Sequence, residues 1–394
     1  MSRKVYTILF IITLICLIAF QYFSLNNLVI KSDSSIRSLS KLIVEIIVFV
    51  LLLDNGVNKH ITFWLFWIAW LIIDSIFGSS TESGISRYIY LWFPQAAFIA
   101  GFYFELHHIN IRKWLTPATI IMLVIVINFM ITKQSLSTVD ISVRGGDNII
   151  FYLVCLIPFI LFFKNFSIKT IAVIICAGMS IFSLKRSSMI MMGLILIFYF
   201  YNLFKRNHKK KFQYILIAIV VFAIGYNTVL KNASDSLDRS FDRMEQLSDD
   251  GGSDRDILWQ DIIKAISQRD FIDNILGSGP NSTMRVAQHT SGHNDALTLM
   301  LEQGLIGVIF YCIFLIRLLK FSYMLNKHNS KDSIIANSIC IIVLCMGMFS
   351  NLVPIATYFT FLTFALGILE GQDYNRARRL YVSNHKQDIR CLNP

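Results

Sequence analysis

A histidine and two carboxylates stand together where a polar stretch of this sequence gives way to an apolar one. His293 comes just before a long apolar run, and Asp295 and Glu302 lie inside its first turns. In a helix that begins near Asn294, the residues Asp295, Thr298 and Glu302 are spaced i, i+3 and i+7 and share one face. Histidine has an ordinary pKa of about 6.5, which suits a general base near neutral pH. We therefore expect acid–base chemistry at this boundary.

Glu302 would lie a couple of helical turns inside the apolar run. A carboxylate there is costly unless it faces a cavity or a cationic partner, which predicts a functional residue. The alternative is that Glu302 only holds a neighbouring helix through a hydrogen bond. Asn294 and Asp295 are candidate substrate-binding residues beside it.

Cationic side chains are the second chemical feature. Lys185 and Arg186 are adjacent in a four-residue hairpin between two apolar runs. A guanidinium can bind two phosphate oxygens at once, and a neighbouring lysine adds a further positive charge. We therefore predict an anion site at this hairpin, and the alternative is a pair of solvated charges. The other candidates for this anion site are Arg255, Arg285, Arg87 and Arg144. For each of them, a position at the solvated surface is an alternative at least as strong as a role in anion binding.

Composition indicates that membrane-spanning helices position these side chains. Of the 394 residues, 55% are hydrophobic and 15% are charged, whereas soluble domains carry about 25% charged residues. A span needs roughly 17 to 25 mostly apolar residues in a helix, because lipid offers the backbone no hydrogen-bond partners. The predicted fold class is an all-α polytopic membrane protein with spans at 5–24, 41–54, 62–78, 88–104, 115–132, 149–163, 170–184, 189–204, 213–228, 297–316, 333–350 and 352–370.

The distribution of Lys and Arg predicts the orientation. With the N-terminus inside, 21 of the 36 bases lie in cytoplasmic segments and eight lie in short external loops, as the positive-inside rule requires. Both termini are then cytoplasmic. Arg3 and Lys4 precede the first apolar run, but this run lacks a small-x-small cleavage site and is expected to remain as an anchor.

The remaining seven bases lie in one long polar segment, which we predict to be an external loop with a functional role. Apolar residues at helical spacing predict an amphipathic helix within it over about 254–268, after Gly251 and Gly252. The predicted organisation is nine transmembrane helices over 1–228, the periplasmic loop over 229–292, three transmembrane helices over 293–370 and a cytoplasmic tail over 371–394.

Several other classes of function are not indicated. The cysteines fall in predicted spans or in the tail, so no disulfide framework is expected. The sequence has no CxxC, HExxH or GxxxxGK[ST] motif and no calcium-loop spacing, so we predict no metal site and no cofactor. The net charge of +11 is explained by topology and by attraction to anionic lipids. No basic groove interleaved with aromatic residues indicates nucleic acid.

Three stretches of the sequence resemble elements of the superfamily of O-antigen ligases and O-antigen polymerases. His293–Gly307, which reads HNDALTLMLEQGLIG, resembles the signature that follows the large periplasmic loop of that superfamily. Ser183-Leu-Lys-Arg186-Ser-Ser resembles its short external turn with a functional arginine, and Gly252-Ser-Asp-Arg255-Asp-Ile-Leu-Trp259 resembles its Ser-x-Arg and aromatic element. The Gly277-Ser-Gly279 step also fits, and the resemblance extends over residues 170–370.

The resemblance implies an inverting, metal-independent glycosyltransferase that acts at the periplasmic face of a bacterial inner membrane. Its donor would be a glycan on undecaprenyl diphosphate, and its acceptor would be a hydroxyl group. Arg186 and Arg255 would then hold the diphosphate. His293 would orient or deprotonate the acceptor, and Glu302 or Asp295 would set its tautomer or support the loop.

This sequence departs from the family pattern at Lys185, which is not a fixed feature of the hairpin. The role of the second arginine has Arg243 and Arg285 as alternatives to Arg255.

The members of this superfamily differ in their acceptor. The polymerase adds the chain to the next lipid-linked repeat unit, and the ligase adds it to lipid A-core. The short chain, the modest loop and the lack of an extra external domain favour the polymerase. The resemblance implies as partners the undecaprenyl-diphosphate-linked oligosaccharide, membrane lipid and a chain-length regulator protein.

A flippase for lipid-linked oligosaccharides is a third hypothesis. It would bury its charges within the spans, whereas the midspan ionisable residues here are few, namely Glu45 and Asp74.

Overall fold

A computed structural model of the protein describes residues 1–30, 35–77, 85–107, 109–136, 148–183, 185–206, 251–280, 282–286 and 292–391. Every regular element within these ranges is a helix, which confirms the all-α fold class. In chain order the helices are α1 (Arg3–Ile30), α2 (Ser35–Asn55), α3 (Lys59–Phe77), α4 (Ile85–Leu106), α5 (Ile111–Leu136), α6 (Ile150–Cys155), α7 (Ile157–Leu161), α8 (Phe166–Phe182), α9 (Arg186–Arg206), α10 (Gly251–Ser267), α11 (Phe271–Leu276), α12 (Ser282–Val286), α13 (Asp295–Lys327), α14 (Ser333–Phe349) and α15 (Ala356–Cys391).

Most of these helices coincide with predicted spans, and the predicted span 213–228 lies outside the described residues. Five helices are long and apolar enough to cross a membrane, namely α1, α3, α5, α9 and α13. Three shorter apolar segments are 150–161, 166–182 and 333–349. These helices indicate a multi-pass membrane protein, and the count of twelve spans stays a prediction.

The segment predicted as one span over 149–163 consists of two short helices. The chain leaves the α-helix at Leu156, just before Pro158, whose ring lacks an N–H donor and clashes with the preceding turn. Every apolar residue of this segment is buried, at 3% exposure or less, and it packs against α5, α14 and α15. The interrupted segment therefore lies in the middle of the bundle, where neighbouring helices surround its irregular backbone.

Helices α4 and α15 pack backbone against backbone. A Cβ added to Gly101 or Gly367 would collide with the main chain of the other helix, so only glycine permits this approach. The Thr363 hydroxyl also donates to the carbonyl of Pro94 at 2.6 Å. Helix α15 continues to Cys391, so most of the predicted tail extends the last helix.

Gly304 divides α13 into two helical pieces. Its backbone has φ 66° and ψ −167°, a left-handed conformation that glycine adopts without a steric penalty. The second piece, 305–327, is about 35 Å long at 1.5 Å per residue and can cross the hydrocarbon core by itself. We therefore infer a span over 305–327 rather than the predicted 297–316, because apolar periodicity does not reveal the break.

The break frees backbone carbonyls, and the preceding loop satisfies them. The amide of Ser278 donates to the carbonyl of Leu301 at 3.0 Å, and the amide of Gly279 donates to that of Glu302 at 2.9 Å. Gly277, with φ 84°, lies so close that its Cβ would meet the backbone of Glu302 and Gly304. The loop is therefore joined to the tenth predicted span at the point where that helix is interrupted.

Replacing Gly277 or Gly304 by alanine should lower the thermal unfolding temperature of the purified protein in detergent. Each substitution forces a side chain into a positive-φ conformation and into backbone atoms, with a strain of about 1–3 kcal/mol per site. Gly178→Ala and Gly193→Ala are matched helical controls, because a Cβ there has nothing within 4 Å. Unchanged unfolding temperatures for Gly277→Ala and Gly304→Ala would contradict this account of the joint.

Candidate active site

Helix α10 packs over the start of α13 and fixes the backbone just before His293. The Trp259 indole donates to the carbonyl of Gly292 at 3.0 Å, and Ile262 of the same helix is fully buried. A Cβ on Gly292 would lie 2.6 Å from the Thr298 hydroxyl and 3.1 Å from the Ile262 side chain. A helix is thus present where the sequence predicts one, although Gly251 begins this helix rather than preceding it and Ile257 and Ile263 of the predicted apolar face are exposed.

His293 itself has an unusual backbone conformation. Its φ is 50°, which is uncommon for a residue other than glycine. Asn294 then caps α13, and its side chain accepts a hydrogen bond from the amide of Leu297 at 3.1 Å. Strained backbone of this kind clusters at functional sites, because the surrounding structure must maintain it.

The environment of His293 keeps its imidazole neutral. Burial, followed by the positive charges of Arg255 and Lys185, lowers the pKa of His293 to about 4. The neutral ring at pH 7 has one nitrogen that donates and one that accepts a hydrogen bond. The structure thus brings together three of the predicted site residues, from the hairpin, the loop helix and the segment before α13.

Serine hydroxyls hold the hairpin that carries Lys185. The Ser183 hydroxyl donates to the carbonyl of Ser180 and the Ser188 hydroxyl donates to that of Lys185, both at 2.8 Å. The Lys185 ammonium lies 5.7 Å from the centre of the Phe151 ring. Arg186 follows as the first residue of α9. The amides of Ser188 and Met189 in the first turn of this helix donate to the carbonyl of Lys185 at 3.1 Å and 3.2 Å.

The acidic face of α13 is buried, as its spacing predicts. Asp295 and Thr298 are at most 2% exposed, and Glu302 is 7% exposed. The Asp295 carboxylate accepts hydrogen bonds from the amides of Leu352 at 2.8 Å and Val353 at 3.2 Å. Asp295 therefore ties the start of α13 to the turn between α14 and α15.

Asp74 on α3 is a further buried carboxylate near the acidic face of α13. It is 1% exposed, and neither carboxylate oxygen has a hydrogen-bond partner among the described residues. Its charge interacts with that of Glu302. Two buried carboxylates repel one another when both are ionised.

Other predicted residues lie elsewhere. Arg285 is exposed on α12 and donates to the carbonyl of Ser278 at 3.3 Å. Arg87 belongs to α4, but its side chain is outside what the structure describes, and Arg144 and Arg243 are outside the described residues altogether.

Sequence reasoning did not identify Arg269 as part of this region. Its guanidinium donates to the carbonyl of Leu301 at 2.9 Å and so helps the loop to cover the break in α13. No motif or periodicity marks this arginine, because its partner becomes available only through the tertiary fold. Asp74 was visible in the sequence only as a rare midspan charge. Among the described residues, no group of three or more His, Cys, Asp or Glu could hold a metal ion.

Fold and site together define a helical, multi-pass membrane protein with a polar site, rich in cations, at one end of the bundle. A family model described as O-Antigen ligase matches residues 171–312, which include the hairpin, α10 and the stretch from His293 to Gly307. This match confirms the resemblance to the superfamily of O-antigen ligases and polymerases and supports a function in lipopolysaccharide biosynthesis. Neither the curated proteins nor the solved structures yielded a match.

Arg255→Gln should raise the pKa of His293 from about 4 toward its ordinary value of about 6.5, because removal of a positive charge makes the imidazolium less costly. Lys185→Gln should shift it in the same direction. The measurement is an NMR titration of labelled histidine in the purified protein. Lys264→Gln, an exposed position on the same helix as Arg255, is the control. A His293 pKa that is the same in all variants would contradict the proximity of these cations.

Proposed function

We propose that this protein is an O-antigen polymerase of the bacterial inner membrane. It transfers the growing glycan from undecaprenyl diphosphate to the next lipid-linked repeat unit at the periplasmic face, and both of its termini are cytoplasmic. The observation that carries the proposal is the placement of Lys185 and Arg255 beside a neutral His293, within the part of the chain that the family model matches.

The proposed reaction exchanges one glycosidic oxygen for another. The bond between the anomeric carbon and the diphosphate oxygen breaks, and the diphosphate leaves with the electron pair. The acceptor hydroxyl attacks the same carbon from the opposite side, which inverts its configuration, and loses its proton. The protein must therefore stabilise the charge that develops on the diphosphate and remove one proton from the acceptor, without a metal ion.

Arg186, Arg255 and Lys185 are proposed to bind the diphosphate. Arg186 begins α9 and directly follows Lys185, so the two cations lie together at the start of this helix. The hydroxyl bonds of Ser183 and Ser188 fix the hairpin before substrate arrives. Preorganised positive groups of this kind stabilise charge that appears in the transition state without a cost of reorganisation.

His293 is proposed to accept the proton of the acceptor hydroxyl. In the free protein the nearby cations disfavour its protonated form and contribute to its pKa of about 4. A bound diphosphate would offset the charges of Lys185 and Arg255, so that the imidazolium would become less costly. The base would therefore gain strength when the donor is in place, which couples deprotonation of the acceptor to binding of the donor.

The carboxylates are proposed to position His293 rather than to contact the sugar. Asp295 connects the start of α13 to the turn before α15. Glu302 lies on the same buried face of α13 as Asp295, close enough to Asp74 of α3 for their charges to interact. Asn294 caps the helix on which both residues depend.

The O-antigen ligase is the second candidate, because the family model that matches carries that description. The ligase would use the same diphosphate site and the same histidine. Its acceptor would be a hydroxyl of lipid A-core instead of a lipid-linked repeat unit.

Substitution of the proposed catalytic residues should abolish most glycan transfer. Arg186→Ala, Arg255→Ala and His293→Ala should each lower the rate in proteoliposomes by about 100-fold or more, as expected when one group that stabilises a transition state is removed. Lys320→Ala, an exposed position at the other end of α13, is the control. Equal thermal unfolding temperatures should accompany the losses, and full activity of the Arg186 or His293 variant would refute the site.

Deletion of the gene, followed by electrophoresis of lipopolysaccharide, should distinguish the two candidates. Loss of a polymerase leaves lipid A-core that carries a single repeat unit. Loss of a ligase leaves core without any repeat and lets lipid-linked polymer accumulate. The first pattern, restored to full-length chains by the wild-type gene, is the expected result, and the second would replace the polymerase by the ligase.

A further inference from the structure

A cationic cleft lies at the end of the bundle opposite His293. One cavity of about 540 Å³ is bounded by the end of α4, the start of α5 and the last part of α15, and it adjoins a second of about 600 Å³ that reaches the turn before α8. Among the described side chains, two acidic ones, Glu105 and Asp332, line these cavities and a smaller one beside them. The basic side chains that line them are Arg112, Lys113, Lys164, Lys169, Lys331, Arg376 and Arg379.

The central part of the cleft is held in place before any ligand binds. Asp332 is 7% exposed and pairs with Arg376 at 2.8 Å and with Arg112 at 3.6 Å. Arg376 also donates to the Ser330 hydroxyl at 3.1 Å. The Asp332 carboxylate thus orients two arginines that belong to different helices, and the Arg376 guanidinium also lies 3.8 Å from the Asp373 carboxylate on its own helix.

Two lysines on the rim add positive charge that no carboxylate of the described residues neutralises. Lys164 lies in the turn between α7 and α8, Lys331 lies in the turn between α13 and α14, and both are exposed. The positive-inside rule explains why bases gather at this end of the molecule. It does not require bases from separate turns to line a single cavity.

The cleft also has an apolar side at the level where the helices end. Leu161, Phe162 and Phe163 line it and are buried, and Ile109 and Ile111 lie at its other edge. The ends of transmembrane helices lie near the lipid headgroups, where basic pockets between helices bind anionic heads. A phosphate group with attached acyl chains matches a cationic cleft of this kind, since the phosphate meets the bases and the chains meet the apolar side.

We propose that this cleft binds the phosphate of an anionic lipid headgroup, such as that of phosphatidylglycerol or cardiolipin. The bound lipid would join α5, α14 and α15 through the arginines around Asp332. The proposal does not depend on the reaction at His293, because the two sites are at opposite ends of the bundle.

The test measures binding of single lipids to the purified full-length protein in detergent by native mass spectrometry and by thermal unfolding. The probes are cardiolipin, phosphatidylglycerol, phosphatidylcholine and inorganic diphosphate. The variant is Lys164→Gln combined with Lys331→Gln. The matched control is Lys320→Gln combined with Lys327→Gln, two exposed lysines of α13 outside the cleft.

Cardiolipin and phosphatidylglycerol should bind more tightly than phosphatidylcholine and should raise the unfolding temperature. At about 1 kcal/mol for each basic residue, loss of Lys164 and Lys331 should weaken cardiolipin binding by about 30-fold, and the control should bind as the wild type does. Equal affinity of variant and wild type would overturn the site. Binding of inorganic diphosphate as tight as that of cardiolipin would also overturn the proposal, because the ligand would then be a soluble phosphate.

Discussion

The structure depends on one constraint, which is that buried backbone groups must find hydrogen-bond partners within the protein. Gly304 interrupts α13 and leaves the carbonyls of Leu301 and Glu302 without their usual helical donors. The amides of Ser278 and Gly279 and the guanidinium of Arg269 replace those donors. The loop is therefore required to dock at this point, and its docking carries α10 onto the start of α13. The position of His293 follows from that contact.

The chemistry proposed for this site depends on charges that are close together before a substrate binds. Burial disfavours the protonated form of His293, and the positive charges of Arg255 and Lys185 add to this effect, so the imidazole is neutral and able to accept a proton. The same groups suit a diphosphate, whose negative charge would reverse their effect on the imidazole. A cluster of charges that is electrostatically costly in the free protein would become favourable in a complex with the proposed donor. Binding of a diphosphate would give a physical reason for two adjacent bases, Lys185 and Arg186, in a short hairpin that hydrogen bonds from serine hydroxyl groups hold in place.

The two ends of the bundle use basic residues differently. At the end of the bundle that contains His293, the cations Lys185 and Arg255 come from separate segments and act on this histidine. The buried carboxylates of α13 follow it in the chain. At the opposite end a larger number of bases surrounds one buried acid, Asp332, which pairs with Arg112 and Arg376. The positive-inside rule assigns the second end to the cytoplasm from charge alone. Which of those bases line one cavity depends on how four chain segments meet, and that information is not present in any single loop.

The sequence by itself determined the features that depend on neighbours along the chain. Apolar runs predicted the helices, the i, i+3 and i+7 spacing predicted the buried face of Asp295, Thr298 and Glu302, and the stretch from His293 to Gly307 predicted the superfamily. Only the tertiary structure decided the break at Gly304, the interruption at Leu156, the bonds of Asp295 to Leu352 and Val353, and the role of Arg269. The reason is that each of these features involves partners far apart in the sequence or surroundings that tolerate irregular backbone. Hydrophobic periodicity records which side of a helix is apolar, but it contains no information about which distant group satisfies a freed carbonyl or a buried carboxylate.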